Sequence, residues 1–450
     1  MLISFIKKFS RLIDIERRVH KKILYLSIPL ILSNLTIPLL TFIDTAVIGH
    51  LGYVDHLAGI TAAASLFALI YGNFNFLRMG TTGISSQAYG SKDPNYLINV
   101  FIRSIILALS LGILIIIFHN LIFSVFLPIL NLSKQVWNSA ESYSEVRIFS
   151  APAVLMNFCI IGYLIGIQKT NIVLISSFIV NGLNIILDYL FVANFNMNVV
   201  GVALGTLISE WTGCIFGLTF LLVIFRKSGA TILWKDVFEK KQFLIFFNIN
   251  FDIFIRTFCL GAANIWFISR SSNLSDIQLA TNGILLNFVY ISAFFIDGFA
   301  FTTETLVGES KGSKNRILFI KYVLSSSLWC IIAGLMCVIF FTLFGKDLIN
   351  LLTNIVEVKK QSSVYLIWVI LLPVISVFSY QLDGIFTGAT RTKDMRNGAL
   401  ISLSIFVLAT IILLPVWGNH GLWLAYILFL LFRAVTLGLR FTSLHNSIGI

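Results

Sequence analysis

Charge is what this sequence has least of. Asp, Glu, Lys and Arg make up 12% of its 450 residues, about half the share usual in soluble domains. A solvated globular surface for a chain of this length is thereby excluded. Cysteine is scarce as well. Cys159, Cys214, Cys259, Cys330 and Cys337 stand within apolar runs and form no C-x-x-C pair, which excludes a disulfide framework and a thiolate metal site. His20, His50, His56, His119, His420 and His445 fall near ends or loops, without the spacing of metal ligands. No G-x-S-x-G, H-E-x-x-H or Walker A motif occurs, so neither an enzyme nor an ATP-driven module is indicated. Residues 1–22 mix charged and apolar side chains throughout. They lack the uninterrupted apolar core of a cleavable signal and read as a cytoplasmic amphipathic segment.

What is abundant is apolar. Hydrophobic residues make up 58% and mean hydropathy is +0.93. The net charge of +12 fits basic cytoplasmic loops, and no nucleic-acid partner is expected. Runs long enough to cross a bilayer as helices lie near 23–49, 57–88, 97–127, 138–168, 171–193, 200–225, 245–269, 278–309, 318–345, 361–389, 397–417 and 421–441. Several exceed the length needed, which predicts tilt or extension into water. Sorted by alternate loops, most Lys and Arg fall on one side, including those of residues 1–22, Lys92, Lys169, Arg226, Lys227, Lys311, Arg316 and Arg391. Few fall on the other: Lys134, Arg270, Lys346, Lys359 and Lys360. This asymmetry predicts that both termini are cytoplasmic. The expected organisation is an N-terminal six-helix lobe over 23–225, a cytoplasmic linker over 226–244, a C-terminal six-helix lobe over 245–441 and a cytoplasmic tail over 442–450.

The halves repeat at a shift of about 222 residues. "QAYGSK" (87–92) matches "ESKGSK" (309–314), "LAGI" (57–60) lies opposite "LATN" (279–282), and "GIQKT" (166–170) faces "GATRT" (388–392). Their collinearity is the signal, since each match alone is weak. An even number of spans per half makes both halves enter the membrane the same way. The fold class expected is therefore an all-α polytopic membrane protein. Its twelve transmembrane helices form two pseudo-symmetric six-helix lobes around a central cavity.

Within these runs a few acids stand out. Asp44 sits in "LLTFIDTAVIGHLG", Asn184 and Asp188 lie four apart in "NGLNIILDYLF", and Thr206 follows on the next span. Counted from the span ends, all four fall at one depth. Oxygens of this kind suit Na⁺, and two carboxylates in a low dielectric suit a proton. The plainer alternative is that each caps or bonds its own helix, and it weighs most on Thr206. At the same shift Asp44 maps to Trp266, Asn184 to Phe406 and Asp188 to Thr410, so the set belongs to one half only. The other half has its own embedded charges, Arg256, Asp297, Glu304 and Asp383. A salt bridge from Arg256 to Asp297 or Asp383 is the expected pairing.

These residues resemble the multidrug and toxic compound extrusion (MATE) transporters, specifically their DinF branch. "FIDTAVIGHLG", "FLRMGTTGISSQAYGSKD", "FSAPAVLMNFCIIGYLIGIQK", "NIILDYLF" through "NMNVVGVALGTLIS", "LLNFVYISAFFIDGFAFTTETLVGESKG" and "LDGIFTGATRT" carry the resemblance over most of the chain. It implies that Asp44 is the coupling acid, with Asn184, Asp188 and Thr206 beside it, and that the first span bends at Pro29. Arg256, Asp297 and Asp383 are then the charged residues of the C-lobe cavity. It further implies a monomer in a bacterial inner membrane with no cofactor. The small-molecule partner is an amphipathic, cationic compound exported in exchange for H⁺ or Na⁺ by rocker-type alternating access. Aromatic residues, 14% of the chain, suit flat cationic drugs through stacking and cation–π contact, although most must face lipid. A lipid-linked oligosaccharide flippase of similar architecture is the alternative, kept open by Arg78, Arg147 and Arg256 as a basic lining for pyrophosphate.

Overall fold

A computed structural model describes residues 17–36, 54–126, 128 and 132–448. The described residues are helical almost throughout. Residues 17–36 form α1. The following helices are α2 (Val54–Asn73), α3 (Phe76–Ser91), α4 (Pro94–Ile117), α5 (His119–Phe126), α6 (Lys134–Arg147), α7 (Ala151–Gly166), α8 (Thr170–Tyr189) and α9 (Asn198–Ser228). After the short α10 (Trp234–Val237) come α11 (Lys240–Ser272), α12 (Asp276–Gly312), α13 (Arg316–Leu352), α14 (Val356–Gly388) and α15 (Thr392–Asn446). Ten stretches among the described residues are long and apolar enough to cross a membrane. One of them, α15, is two helices joined at Gly418, whose φ of 55° and ψ of −135° break the α geometry. Its 55 residues would otherwise extend about 80 Å, far more than one crossing of about 30 Å requires. The apolar faces turn outward as lipid demands, with Leu343 65% and Ile412 65% exposed.

Two expectations on span layout are refined. The run over 57–88 is not one helix but α2 and α3, separated at Phe74 and Asn75. Helices α9, α11 and α13 run past the limits read from hydropathy, because their charged ends continue the helix into the polar zone.

The repeat is visible in local geometry. Lys92 and Lys314 adopt left-handed φ of 58° and 53°. Each is followed by a residue that caps the next helix. Asp93 accepts from Asn95 N (3.0 Å) and Tyr96 N (2.9 Å), and Asn315 accepts from Leu318 N at 2.9 Å. Such side-chain caps satisfy the orphan amides of a first turn. Gln168 and Thr390 form a second pair, with φ of 62° and 50°. Gly162 on α7 lies against the Arg78 carbonyl on α3, and Gly384 on α14 lies against the Ala300 carbonyl on α12. In both places a Cβ would strike backbone, so only glycine permits the close helix contact.

Two compact units emerge, one of residues 32–250 and one of residues 1–31 with 251–450. Their limits fall inside α1 and α11 and not within the 226–244 linker. In the C unit, α1 runs antiparallel to α12. Ile31 meets Gly298, Ser27 Oγ donates to Thr302 Oγ1 at 2.9 Å, and Lys22 Nζ pairs with Glu309 at 2.7 Å. In the N unit the start of α11 takes the equivalent place on α3. Asn250 packs on Gly80, and Phe246 buries itself with Ile84, Ala88 and Val100. The core of the C unit gathers Phe267, Phe288, Phe341, Phe406 and Trp423. Here Asn282 Nδ2 donates to Ser271 Oγ (2.8 Å) and Asn419 Oδ1 (2.7 Å), while its Oδ1 accepts from Trp423 Nε1 and Asn419 Nδ2, both at 2.9 Å. That network secures the residue after the Gly418 break.

Candidate functional site

The polar site of the N unit is assembled by α8 and α9. Gly201, Gly205, Ser209, Gly213 and Gly217 recur every fourth residue on α9 and are all buried. A stripe of small residues lets neighbouring helices approach closely. Gly205 lies against the backbone N and carboxylate of Asp188, and Gly213 lies against Val180. The approach carries Thr206 to Asn184. The Asn184 amide Nδ2 donates to Thr206 Oγ1 at 3.2 Å and to Asp188 Oδ1 at 3.3 Å. Thr206 Oγ1 donates its own proton to Val202 O at 3.0 Å. With both donors directed inward, the buried Asn184 Oδ1 has no hydrogen-bond partner among the described residues. Asn184 is 2% and Asp188 1% exposed. Directly after Asp188 the helix relaxes into a π turn, Leu190–Asn194, a feature that tends to accompany functional sites. The set is rich in acceptor oxygens and fits a cation or a proton. Asn184, Asp188 and Thr206 are therefore brought together, while Asp44 lies outside the described residues.

The end of α1 reaches toward this set by a polar ladder. Ser33 Oγ and Ser177 Oγ are 2.5 Å apart. Asn181 Nδ2 donates to Thr36 Oγ1 at 2.7 Å, and Thr36 in turn donates to Ser33 O at 2.7 Å. Pro29, expected as a hinge, is buried within continuous helix.

Two further N-unit residues near this set were not assigned to it from the sequence. Glu210, one turn beyond Thr206, accepts from Asn157 Nδ2 at 2.9 Å. The four-residue spacing from Thr206 is the signal that marks it. Arg147 closes α6 with its guanidinium 5.9 Å from the ring centres of both Phe67 and Tyr71, a cation–π arrangement.

In the C unit Arg256 makes the expected ion pair with Asp383, through Nη2 to Oδ2. The same oxygen accepts from Arg433 Nη2, which sequence reasoning missed. An Arg in the middle of the apolar run 421–441, well inside the Arg440 at its end, is itself the sign of a buried partner. Arg433 is 5% and Asp383 7% exposed, and a small pocket over the cluster is lined by Met395, Gly398, Ala399 and Leu437. Asp297 is half-buried on α12. At the places equivalent to the N-unit set the C unit is packed core: Phe406 is fully buried and Thr410 Oγ1 donates to its carbonyl at 2.7 Å.

A multi-pass helical protein with an internal repeat, and with an acid, an amide and a hydroxyl joined in the membrane interior of one unit, has the build of a membrane transporter. The chain belongs to the MatE family, whose pattern it matches twice, over residues 29–190 and 253–414. It is 34% identical to DNA damage-inducible protein F of Escherichia coli (strain K12) over 93% of this chain and 91% of that protein. It is 25% identical to the multidrug export protein MepA of Staphylococcus saprophyticus over 88% of this chain and 86% of that protein. Among solved structures, a MOP superfamily transporter from Pyrococcus furiosus superposes with a TM-score of 0.86 at 21% identity, covering 96% of this chain and 97% of that one. The fold is thus that of the MATE transporters.

Proposed function

We propose that this protein is a cation-coupled antiporter that exports amphipathic, cationic small molecules in exchange for H⁺ or Na⁺ by rocker-type alternating access. One observation carries the reading: the buried Asn184 and Asp188 join the half-buried Thr206 as a set of acceptors whose Asn184 Oδ1 points at no described partner. Asp44 completes the set. The ladder of Ser33–Ser177 and Thr36–Asn181 sets the end of α1 beside α8, whose next residues lead to Asn184 and Asp188. Multidrug export by the MepA relative supports the substrate class. Loading a proton or Na⁺ removes negative charge, and losing it restores an anionic pocket for a cationic drug. That alternation biases the two access states, because a ligand shifts an equilibrium only by its differential affinity for them. Pro29 is the proposed bend of the first span, the two six-helix repeats run over 23–225 and 245–441 with residues 23–31 and 245–250 exchanged between the compact units, the protein acts as a monomer and both termini are cytoplasmic. Arg256, Asp297 and Asp383 are assigned to the C-lobe cavity. The flippase alternative loses support, because Arg256 is already engaged by a carboxylate.

The test is efflux of a fluorescent cation from proteoliposomes under imposed H⁺ or Na⁺ gradients. Asp44→Asn mimics the loaded state and abolishes gradient-driven export at equal protein level. Asp188→Asn weakens coupling strongly and Thr206→Ala less, since a hydroxyl is a neutral ligand. Export by Asp44→Asn against a gradient at the wild-type rate overturns the assignment.

A further inference from the structure

Between α9 and α11 the chain leaves the spanning segments, Asn198–Ser228 and Lys240–Ser272. Large apolar side chains nevertheless remain on the outside there. Ile232, Leu233, Trp234 and Phe238 are 47%, 55%, 60% and 57% exposed. Trp234 and Phe238, one turn apart across α10, stack with centroids 6.2 Å apart and planes at 21°. On a span such exposure is explained by lipid tails. In a connection it is not.

The connection is held in place from behind. Val237 is fully buried. Arg103 Nε donates to its carbonyl at 2.8 Å, and Arg103 Nη2 donates to the carbonyl of Asp236. Thr231 N donates to Asn95 Oδ1 at 3.0 Å. The aromatic pair is thus directed outward by a fixed backbone. Around it Arg226, Lys227, Lys235, Lys240 and Lys241 are all exposed, against the acids Asp236 and Glu239.

We infer that residues 226–241 form a binding element for anionic phospholipid. Trp234 and Phe238 enter the boundary between headgroups and acyl chains, where amphipathic rings reside. The lysines and arginines around them hold the lipid phosphates. Each such cation is attracted by an anionic leaflet, so the strap selects acidic headgroups over zwitterionic ones. A water-exposed or protein-covered patch, including one covered by a second copy of the chain, is the competing outcome.

The experiment uses the full chain in phosphatidylcholine vesicles containing a minor share of phosphatidylglycerol, with bromine on the acyl chains of either lipid in turn. The Trp234 signal is isolated as the difference between wild type and Trp234→Phe. At equal mole fraction, brominated phosphatidylglycerol quenches Trp234 roughly twofold or more above brominated phosphatidylcholine. The excess falls in high salt, which screens exposed charge. It is also lost in the Lys235→Gln/Lys240→Gln/Lys241→Gln protein, whose melting temperature matches wild type. Equal quenching by the two lipids, indifferent to salt, overturns the proposal, and so does the absence of quenching by either. The salt titration on wild type decides the question even if the triple variant folds poorly.

Discussion

Replacing Asp383 by Asn keeps the shape of the side chain and removes its charge. Two guanidiniums, from Arg256 and Arg433, converge on one oxygen of this carboxylate. Arg433 is 5% exposed, so it has little water to turn to. Removing one member of a buried ion pair costs about 3–5 kcal/mol, because the remaining charge stays desolvated. For a unit of this size each kcal/mol lowers the melting temperature by about 2–4 °C, which gives a drop of roughly 6–20 °C. Thermal unfolding of the detergent-solubilised protein reads this directly. The companion variant Arg256→Met/Asp383→Leu/Arg433→Met removes all three charges together. It should recover the loss, since apolar replacements of whole buried clusters are often neutral or stabilising. Transport by the triple variant then separates two roles. Recovered stability with lost export assigns the cluster to the transport cycle, and recovery of both assigns it to structure. A change below about 2 °C in Asp383→Asn would refute the argument that this carboxylate carries the balance of charge.

Three further outcomes are expected. Gly205→Ala places a methyl against the Asp188 carboxylate and backbone; displacing them costs about 1–3 kcal/mol and should depress gradient-driven efflux while the protein still inserts, whereas wild-type transport would show that Asp188 has room to move. Asn282→Leu strands the donors of Asn419 and Trp423, at about 1–3 kcal/mol each, and should lower the melting temperature; an unchanged melt would mean that other groups take them up. Arg103→Gln withdraws the hold on the carbonyls of Asp236 and Val237 and should speed protease cleavage within 226–241, with hydrogen exchange of the same amides as the independent measure.

The sequence disclosed the fold where chemistry is periodic or position-specific. Apolar runs announced the spans, and the 222-residue shift announced turns whose equivalence extends to left-handed φ at Lys92 and Lys314. Asn184 and Asp188 were legible because four residues make one helical face, and Thr206 because its depth could be counted from a span end. The division at 31/32 and 250/251 was not legible, since hydropathy reports how much a helix is buried and not which neighbour buries it. Arg433 was missed for a related reason: its partner Asp383 is 50 residues away on another helix. The break between α2 and α3 was hidden because "YGNFNF" contains no proline to mark it.

The placement of residues 17–31 on α12 has a consequence for synthesis. These residues are made early, yet the surface that covers Ser27 and Ile31, at Thr302 and Gly298, is translated only after the whole of residues 32–250. At about 5–20 residues per second, the first helix waits on the order of ten seconds or more for its permanent neighbour. During that interval its Ser27 hydroxyl and Lys22 ammonium must be sheltered by lipid headgroups, by the insertion machinery or by a provisional partner. A gene cut within the linker would therefore not yield two self-sufficient halves. Each fragment would carry a first helix whose packing surface lies on the other, so co-expression, and not either fragment alone, is the condition under which a split protein would assemble.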